Sequence, residues 1–247
     1  MNRILIEPDE FRADGTALLC DARAAHVREV LRAAPGQVIR TGTVDGNAGR
    51  SRVLEVSEAH VLLLPEHDDV SEAPWLDLLL AVPRPKVLKR LWPQLAALGV
   101  GRVFLLNASK VEKCYFSSQW LEPAHYRPLL IEGLTQAGLT RLPEVRVCPR
   151  FRPFVEDELE ACFPQSLRLL AHPGPRGGLP PRPSGLRPLL AVGPEGGWTD
   201  YELGMLEARG FRRFSLGGRT LRTDTACVAL IAVLDGWQND VTGRDAE

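Results

Sequence analysis

The chain of 247 residues is poor in cysteine, methionine and aromatic side chains: five Cys, two Met, and Phe, Trp and Tyr at 6% together. Cys20, Cys114, Cys148, Cys162 and Cys227 are odd in number, far apart and form no Cys-x-x-Cys pair. A disulfide framework and a zinc knuckle are thereby excluded, and a reducing, cytoplasmic setting is expected. The five histidines also lack ligand spacing, so no metal is expected. Long hydrophobic runs are missing. The longest, Ala226 to Leu234, is too short to cross a bilayer and reads as a buried helix, so no membrane partner is expected. The N-terminus opens on a polar, strand-like run without a secretory signal pattern, which predicts a soluble protein. Neither Gly-x-Gly-x-x-Gly nor a Walker-type lysine loop occurs. This counts against a doubly wound enzyme that holds a nucleotide phosphate on Gly193 to Gly197.

Charge of one sign is scarce only locally. The formal net charge is -1, but residues 1–72 carry 8 Lys/Arg against 13 Asp/Glu, and residues 73–150 carry 11 against 5. Arg84, Lys86, Lys89 and Arg90 cluster in the cationic part, either as an RNA-facing patch or as a solvated helix surface.

Short segments rich in β-branched and aliphatic residues fill the first seventy residues: Arg3 to Ile6, Val38 to Thr41, Arg50 to Val56 and His60 to Leu64. Turn signals at Pro35-Gly36 and Asp45-Gly46-Asn47 separate them. One helix capped by Asp21 interrupts them, with Ala22, Ala25, Val27, Val30 and Leu31 as its apolar face. A small β-barrel domain over residues 1–70 is predicted. An acidic, proline-bounded linker follows, and a second domain spans 75–247. There, apolar strands (Leu76 to Val82, Arg102 to Leu106, Glu144 to Val147, Leu167 to Ala171, Leu189 to Val192) alternate with amphipathic helices, including Lys86 to Leu98 and Pro123 to Ala137. This pattern predicts an α/β fold with a mostly parallel sheet. Thr199-Asp200-Tyr201-Glu202 matches a capping box. Thr223 or Asp224 is expected to cap the last helix, to about Trp237. Six prolines and four glycines between Pro173 and Pro188 predict a surface loop.

Two tracts carry the chemistry. Gly193-Pro194-Glu195-Gly196-Gly197 and Leu216-Gly217-Gly218-Arg219-Thr220-Leu221-Arg222-Thr223-Asp224-Thr225-Ala226 each sit where an apolar strand gives way to a helix. Two such junctions present bare backbone groups at one sheet edge, which suits a small polar cofactor held by the main chain.

With Ala171-His172-Pro173, and with Arg3, His26, Val30-Leu31-Arg32 and Pro35-Gly36 near the start, these tracts resemble the RsmE family of the SPOUT superfamily over nearly the whole chain. The resemblance implies a PUA-like RNA-binding barrel, a SPOUT domain with a trefoil knot, and a homodimer. It also implies transfer of a methyl group from S-adenosylmethionine to N3 of one uridine of 16S ribosomal RNA, in the small subunit or its RNA. Candidate cofactor residues are His172, Pro173, Gly193, Pro194, Glu195, Gly196, Gly197, Leu216, Gly217, Leu221, Arg222, Thr223, Thr225 and Ala226. Candidate RNA contacts are Arg3, His26, Arg28, Arg32, Arg84, Lys86, Lys89 and Arg90. The chain departs from the family pattern at Gln94, Ala97, Ala137, Leu139, Gly218 and Asp224.

Uracil N3 holds its proton at neutral pH, so an adjacent guanidinium is needed to favour the anion; Arg222 is the first candidate and Arg219 the second. Asp224 is open to two readings, proton acceptor or helix N-cap. His172 reads as a base or as a structural strand-end residue. A protein of another class also fits: an RNA-binding or ribosome-assembly factor that keeps the fold without the activity, motivated by Gln94, Ala97 and Leu139.

Overall fold

The computed structural model describes residues 3–181 and 185–242, so residues 182–184 of the expected loop and the last five of the expected second domain lie outside the described residues. The chain divides into two compact units, Met1–Ala73 with Ile131–Leu142, and Pro74–Leu130 with Pro143–Glu247.

The first unit is built on five strands, β1 (Ile4–Ile6), β2 (Ala17–Leu19), β3 (Val38–Thr43), β4 (Ala48–Val56) and β5 (Val61–Asp69). Their order is β1-β3-β4-β5-β2, with β1 parallel to β3 and the other pairs antiparallel. Alternation in β4 sends Ser51 and Val53 inward and Arg50 and Arg52 outward, as a half-buried strand requires. Val53, Val61 and Leu63 close a core with Ile4, Ile6, Leu19 and Val27. β2 was not expected; three residues are too few to show a period.

The expected helix is shorter than its apolar face suggests. Asp21 caps α1 (Ala22–Ala25), accepting from the Arg23 amide at 2.9 Å. The chain then continues as a π turn, His26–Val30. The wider turn rotates the later apolar positions off the core face. Ala24 and Val27 are buried, whereas Val30 and Leu31 are exposed.

Residues 131–142 belong to this unit through specific polar contacts. Arg3 donates from Nε to the Gly138 carbonyl (3.0 Å) and from Nη1 to the carbonyls of Thr41 (2.7 Å) and Gly49 (3.2 Å). Asp45 accepts from the Leu142 amide at 2.7 Å, and the Thr140 hydroxyl donates to the Gly46 carbonyl at 2.7 Å. None of these contacts leaves a hydrophobic pattern in the sequence.

The second unit is an α/β layer. Strands β6 (Leu76–Ala81), β7 (Val100–Leu106), β8 (Glu144–Cys148), β9 (Ser166–Ala171), β10 (Arg187–Val192) and β11 (Arg212–Phe214) form one sheet in the order β11-β9-β10-β6-β7-β8. Every pairing is parallel. Helices α2 (Pro85–Ala97) and α3 (Pro123–Ala137) follow β6 and β7. The stretch α4 (Phe151–Pro153), a π turn (Phe154–Glu158) and α5 (Leu159–Cys162) comes before β9 and was not foreseen. Pro153 and the clustered acids hide its buried residues Phe151, Phe154, Val155 and Leu159. Helices α6 (Asp200–Ala208) and α7 (Thr223–Thr242) complete the unit. α2 buries Leu88, Leu91, Trp92, Leu95 and Ala96 and stops where Gly99 takes φ +72. A Cβ there would meet the Trp75 ring at 2.9 Å. The expected capping box is present: Thr199 accepts from the Glu202 amide while the buried Glu202 carboxylate accepts from the Thr199 amide at 2.8 Å. Its other oxygen accepts from the Ser109 amide at 2.7 Å, tying the loop after β7 to α6.

One charge lies in the middle of this apolar sheet. Asp77, 1% exposed, pairs with Arg102 of β7 and Arg187 of β10, each at 2.6 Å. The Arg102 guanidinium also lies 4.2 Å from the centre of the Phe163 ring and donates to the Cys162 carbonyl. A buried carboxylate is tolerated only when so paired. We expect Asp77→Asn to destabilise the protein by about 1–3 kcal/mol, below the usual cost of breaking a buried pair because both arginines reach solvent. Urea unfolding measures this, and an unchanged midpoint would show that the pair does not hold the sheet.

Candidate functional site

The carboxyl ends of β9, β10 and β11 surround a cavity walled by the loops that follow them and by the start of α7. Its lining includes Ala171-His172-Pro173 after β9, Val192 to Glu195 and Gly197 after β10, and Phe214 to Gly217 after β11. Arg219, Thr220, Leu221, Thr223, Ala226 and Leu230 complete it. Parallel strands deliver their exposed carbonyls and the following amides to one edge, and loops there form the crevice.

Local bonds fix each loop. The amide of Gly197, at φ +69, donates to the Pro194 carbonyl at 2.8 Å and closes the turn. A Cβ on Gly193 would lie 3.0 Å from the Trp198 indole, so glycine lets that ring pack against the strand end. Lys110 Nζ donates to the Gly196 carbonyl at 2.8 Å. After β11, the Ser215 hydroxyl accepts from the Gly217 amide (3.0 Å) and donates to the Gly174 carbonyl (3.0 Å). Ser215 also exchanges backbone bonds with Gly177, which anchors the proline-rich loop beside the cavity. The His172 amide extends the pairing to Phe214 by donating to its carbonyl at 3.1 Å. Two nitrogens in the lining residues, His172 Nδ1 and Trp198 Nε1, are buried without a hydrogen-bond partner. A polar ligand can satisfy such atoms, so the lining suits a small molecule rich in donors and acceptors.

A second cavity adjoins the first. Arg84, Val87, Arg90, Glu195, Arg222 and Thr223 line it, and Glu195 and Thr223 are common to both. Glu195 accepts from the Arg84 amide at 3.1 Å and so joins the end of β6 to the loop after β10. Buried Tyr115 donates its hydroxyl to Glu112 at 3.0 Å, with the Arg84 guanidinium also in reach. Arg222 and Arg219 are exposed, and their guanidinium groups make no hydrogen bond or ion pair among the described residues.

Helix α7 begins at Thr223, and its first turn closes with the Ala226 amide donating to the Arg222 carbonyl at 2.7 Å. Arg222 rather than Thr223 or Asp224 therefore stands just before the helix, and the helix runs five residues past Trp237 to Thr242. Asp224 lies in the first turn. One oxygen accepts from the Thr225 amide at 3.0 Å and the other pairs with Arg90 at 2.6 Å. Burial opposes its charge, but Arg90 and that amide outweigh it and hold the carboxyl below the ordinary value. Cys227, fully buried one turn on, is pushed up to about 12 by burial and by Asp224.

Of the cofactor candidates, His172, Pro173, Gly193, Pro194, Glu195, Gly197, Leu216, Gly217, Leu221, Thr223 and Ala226 come together around the first cavity. Gly196 and Thr225 do not line it, and Arg222 faces the second. Ala171, Val192, Trp198, Phe214, Ser215, Thr220 and Leu230 were missed, although each stands beside or one helical turn from a named residue. Lys110 was missed because nothing near it in sequence signals the contact.

The RNA-contact candidates are in different states. Arg3 is committed to three carbonyls. Arg28 donates to the Ser57 and Glu58 carbonyls and pairs with Glu29. Arg32 is exposed at φ +49, and His26 Nε2 is buried without a partner. In the second unit, Lys86 is exposed, Lys89 lies 4.7 Å from the Trp120 ring centre, and Arg90 pairs with Asp224.

Residues 71–235 match the family model of the RNA methyltransferase domain. The chain is 30% identical to ribosomal RNA small subunit methyltransferase E of Treponema pallidum, over 95% of this chain and 90% of that protein. It is 26% identical to the protein of the same name from Synechocystis, over 94% and 77%. The crystal structure of ribosomal RNA small subunit methyltransferase E from Neisseria gonorrhoeae bound to S-adenosyl methionine matches with TM-score 0.75 at 22% identity, covering 96% of this chain and 98% of that one. A probable rRNA-methyltransferase from Porphyromonas gingivalis matches with TM-score 0.78 at 20% identity, covering 98% and 100%.

Two neighbouring glycines test the loop geometry. Gly217 sits at φ +120, whereas Gly218 has no such angle and open space around it. We expect Gly217→Ala to cost about 1–2 kcal/mol in urea unfolding from backbone strain. Gly218→Ala is expected to stay within about 0.5 kcal/mol, and equal costs at the two positions would contradict the loop conformation.

Proposed function

Starting from the chain's membership of the ribosomal RNA small subunit methyltransferase E family, we propose that its two adjoining cavities divide one reaction, methylation of N3 of a single uridine in 16S ribosomal RNA. The observation that carries this reading is their shared wall: a cradle of bare peptide groups opens beside a cavity edged by three arginines, with Glu195 and Thr223 facing both.

The first cavity fits S-adenosylmethionine. Unpartnered His172 Nδ1 and Trp198 Nε1 need hydrogen-bond partners, and both residues line this cavity. Gly193, Pro194, Leu216, Gly217 and Leu221 offer main-chain groups to an adenosine, while Leu230 and Ala226 supply apolar contact. When bound there, the cofactor supplies a methyl group on a sulfonium, which transfers by in-line displacement.

The protein's own share is positioning and charge control. Arg222 stands before α7 with a free guanidinium; beside the uracil carbonyls it stabilises the N3 anion. Arg219, on the cofactor side, is the second such group. Asp224, paired with Arg90, is a weaker proton acceptor than its sequence position suggests. Glu195 holds the shared wall by accepting from the Arg84 amide.

The family's trefoil knot, PUA-like barrel and homodimer complete the reading. The all-parallel sheet and the five-stranded first unit support the first two, and the resemblance alone supports the third. Arg32, Lys86 and Lys89 are the RNA contacts best placed by exposure, and their phosphate contacts give a salt-dependent affinity. No helix among the described residues is long and apolar enough to cross a membrane, in keeping with a cytoplasmic enzyme. A catalytically altered assembly factor is not favoured. Gln94, Ala97, Ala137, Leu139, Gly218 and Asp224, the positions that depart from the family, line neither cavity.

Small ribosomal subunits from cells lacking the protein, incubated with it and S-adenosylmethionine, are expected to gain one methyl group on a uridine by mass mapping. No methylation, with no calorimetric heat from S-adenosylmethionine, removes the reading. Arg222→Ala is expected to abolish turnover while leaving the melting temperature and cofactor affinity nearly unchanged; full activity in that variant excludes Arg222 from the reaction. Gly193→Ala, which drives a Cβ against Trp198, is expected to weaken S-adenosylmethionine binding at least about tenfold by calorimetry.

A further inference from the structure

Helix α2 and helix α7 are joined at their N-terminal halves by one ion pair. Arg90 lies on the second turn of α2 and Asp224 on the first turn of α7, and their side chains meet at 2.6 Å. The two ends of this contact differ in exposure: Arg90 is 53% exposed and Asp224 15%. Arg90 lines the second cavity beside Arg222, whereas Asp224 does not. Asp224 has both oxygens engaged, one by Arg90 and one by the Thr225 amide. The same turn starts at Arg222, whose carbonyl accepts its first helical bond. Moving Asp224 therefore moves the peptide that carries the unpaired guanidinium.

We propose that Arg90 is a positioning residue for methyl transfer, acting through Asp224 on the turn that presents Arg222 to the substrate. This rests on the reading of Arg222 above. Arg90 touches no reacting atom in this scheme. Its effect is to fix a helix end that a dangling Asp224 would leave free to fray, since the first-turn amides have no intrahelical partners of their own. Arg90, together with the Thr225 amide, also favours the ionised form of Asp224. The Cys227 thiol, pushed up by burial and by Asp224, lies one turn along the same helix, and Arg222, Arg84 and Glu195 are the other charged groups around the cavity that Arg90 lines. Arg90 is the only one of these with an ion pair to Asp224 among the described residues.

Arg90→Gln, Arg90→Lys, Asp224→Asn and the double variant Arg90→Gln/Asp224→Asn test this in the full-length protein. Arg90→Gln is expected to lower kcat about tenfold to a hundredfold, with S-adenosylmethionine affinity and RNA KM close to wild type. The acid limb of its kcat–pH profile is expected to move up, because Asp224 loses the charge that favours its ionised form. The sign is fixed: removing a cation raises a carboxyl toward its ordinary value. The double variant is expected to lose no more than the worse single variant, the mark of two residues acting as one unit. Arg90→Lys, which keeps the charge, is expected to recover part of the rate.

Hydrogen exchange in the free protein gives a readout independent of activity. The amides of Thr225, Ala226 and Cys227 are expected to exchange faster in Arg90→Gln, while the rest of α7 is unchanged. Wild-type kcat in Arg90→Gln, a loss confined to RNA KM, or additive losses in the double variant would each overturn the proposal. Faster exchange in Arg90→Gln, alongside a wild-type protein that never methylates RNA, would instead defeat the functional reading while leaving the mechanical link intact.

Discussion

A single buried carboxylate sets the geometry on which the site depends. Asp77 lies near the start of β6, between Arg102 of β7 and Arg187 of β10, and fixes three adjacent strands against sliding. In a sheet of almost uniform leucine, valine and alanine, apolar packing alone tolerates more than one register. An ion pair in a low-dielectric interior does not, because a displaced carboxylate would lose both partners. Burial works against the charge of Arg187, and Asp77 offsets part of that effect. With the amino ends fixed, the carboxyl ends of β6 and β10 emerge together. That is why the Arg84 amide reaches Glu195 at 3.1 Å and why the two cavities have a wall in common.

Polar work at this edge is divided between backbone and side chain. In the first cavity, Gly193, Gly197 and Gly217 leave main chain accessible among apolar side chains, and among the described residues His172 and Trp198 bring unpartnered ring nitrogens. Rigid peptide groups need no reorganisation on binding, which suits a ligand held the same way in every cycle. In the second cavity, flexible arginines dominate. Their three states differ: Arg90 is paired to Asp224, Arg84 lies by Tyr115, and Arg222 is free. Only the free one can meet a developing negative charge without first breaking a bond inside the protein.

The sequence made the periodic parts of this architecture readable. Continuous apolar runs marked β6, β7 and β10, and Thr199 to Glu202 announced α6 through a local bond pattern. Glycines 193, 197 and 217 pointed to the cofactor edge because close approach and positive φ leave few other residues possible. What stayed hidden was set by contacts distant in sequence. Residues 131–142 belong to the first unit through Arg3, Asp45 and Thr140, and no pattern within α3 foretells that. The π turn after Ala25 put Val30 and Leu31 in solvent although their spacing suited a buried face. Lys110 and Arg90 reach the site from other elements, across 86 and 134 residues of chain.

The distribution of free cations follows from the same accounting of partners. An arginine whose donors are all taken by protein carbonyls gives nothing to a phosphate without unfolding something. Arg3 approaches that state, with its Nε and Nη1 donors held by three carbonyls, so its place near the chain's start reflects a structural need to hold Gly138 and Thr41. Arg28 is partly in that state as well. Exposed Arg32, Lys86 and Lys89 have no ion pair among the described residues, and Lys89 keeps its ammonium near the Trp120 ring without a carboxylate to neutralise it. A first segment with 13 acidic and 8 basic side chains, some of the latter already committed, cannot present a broad positive field. On the proposed reading, RNA contact by the first unit is therefore local, resting on exposed Arg32 rather than on net charge.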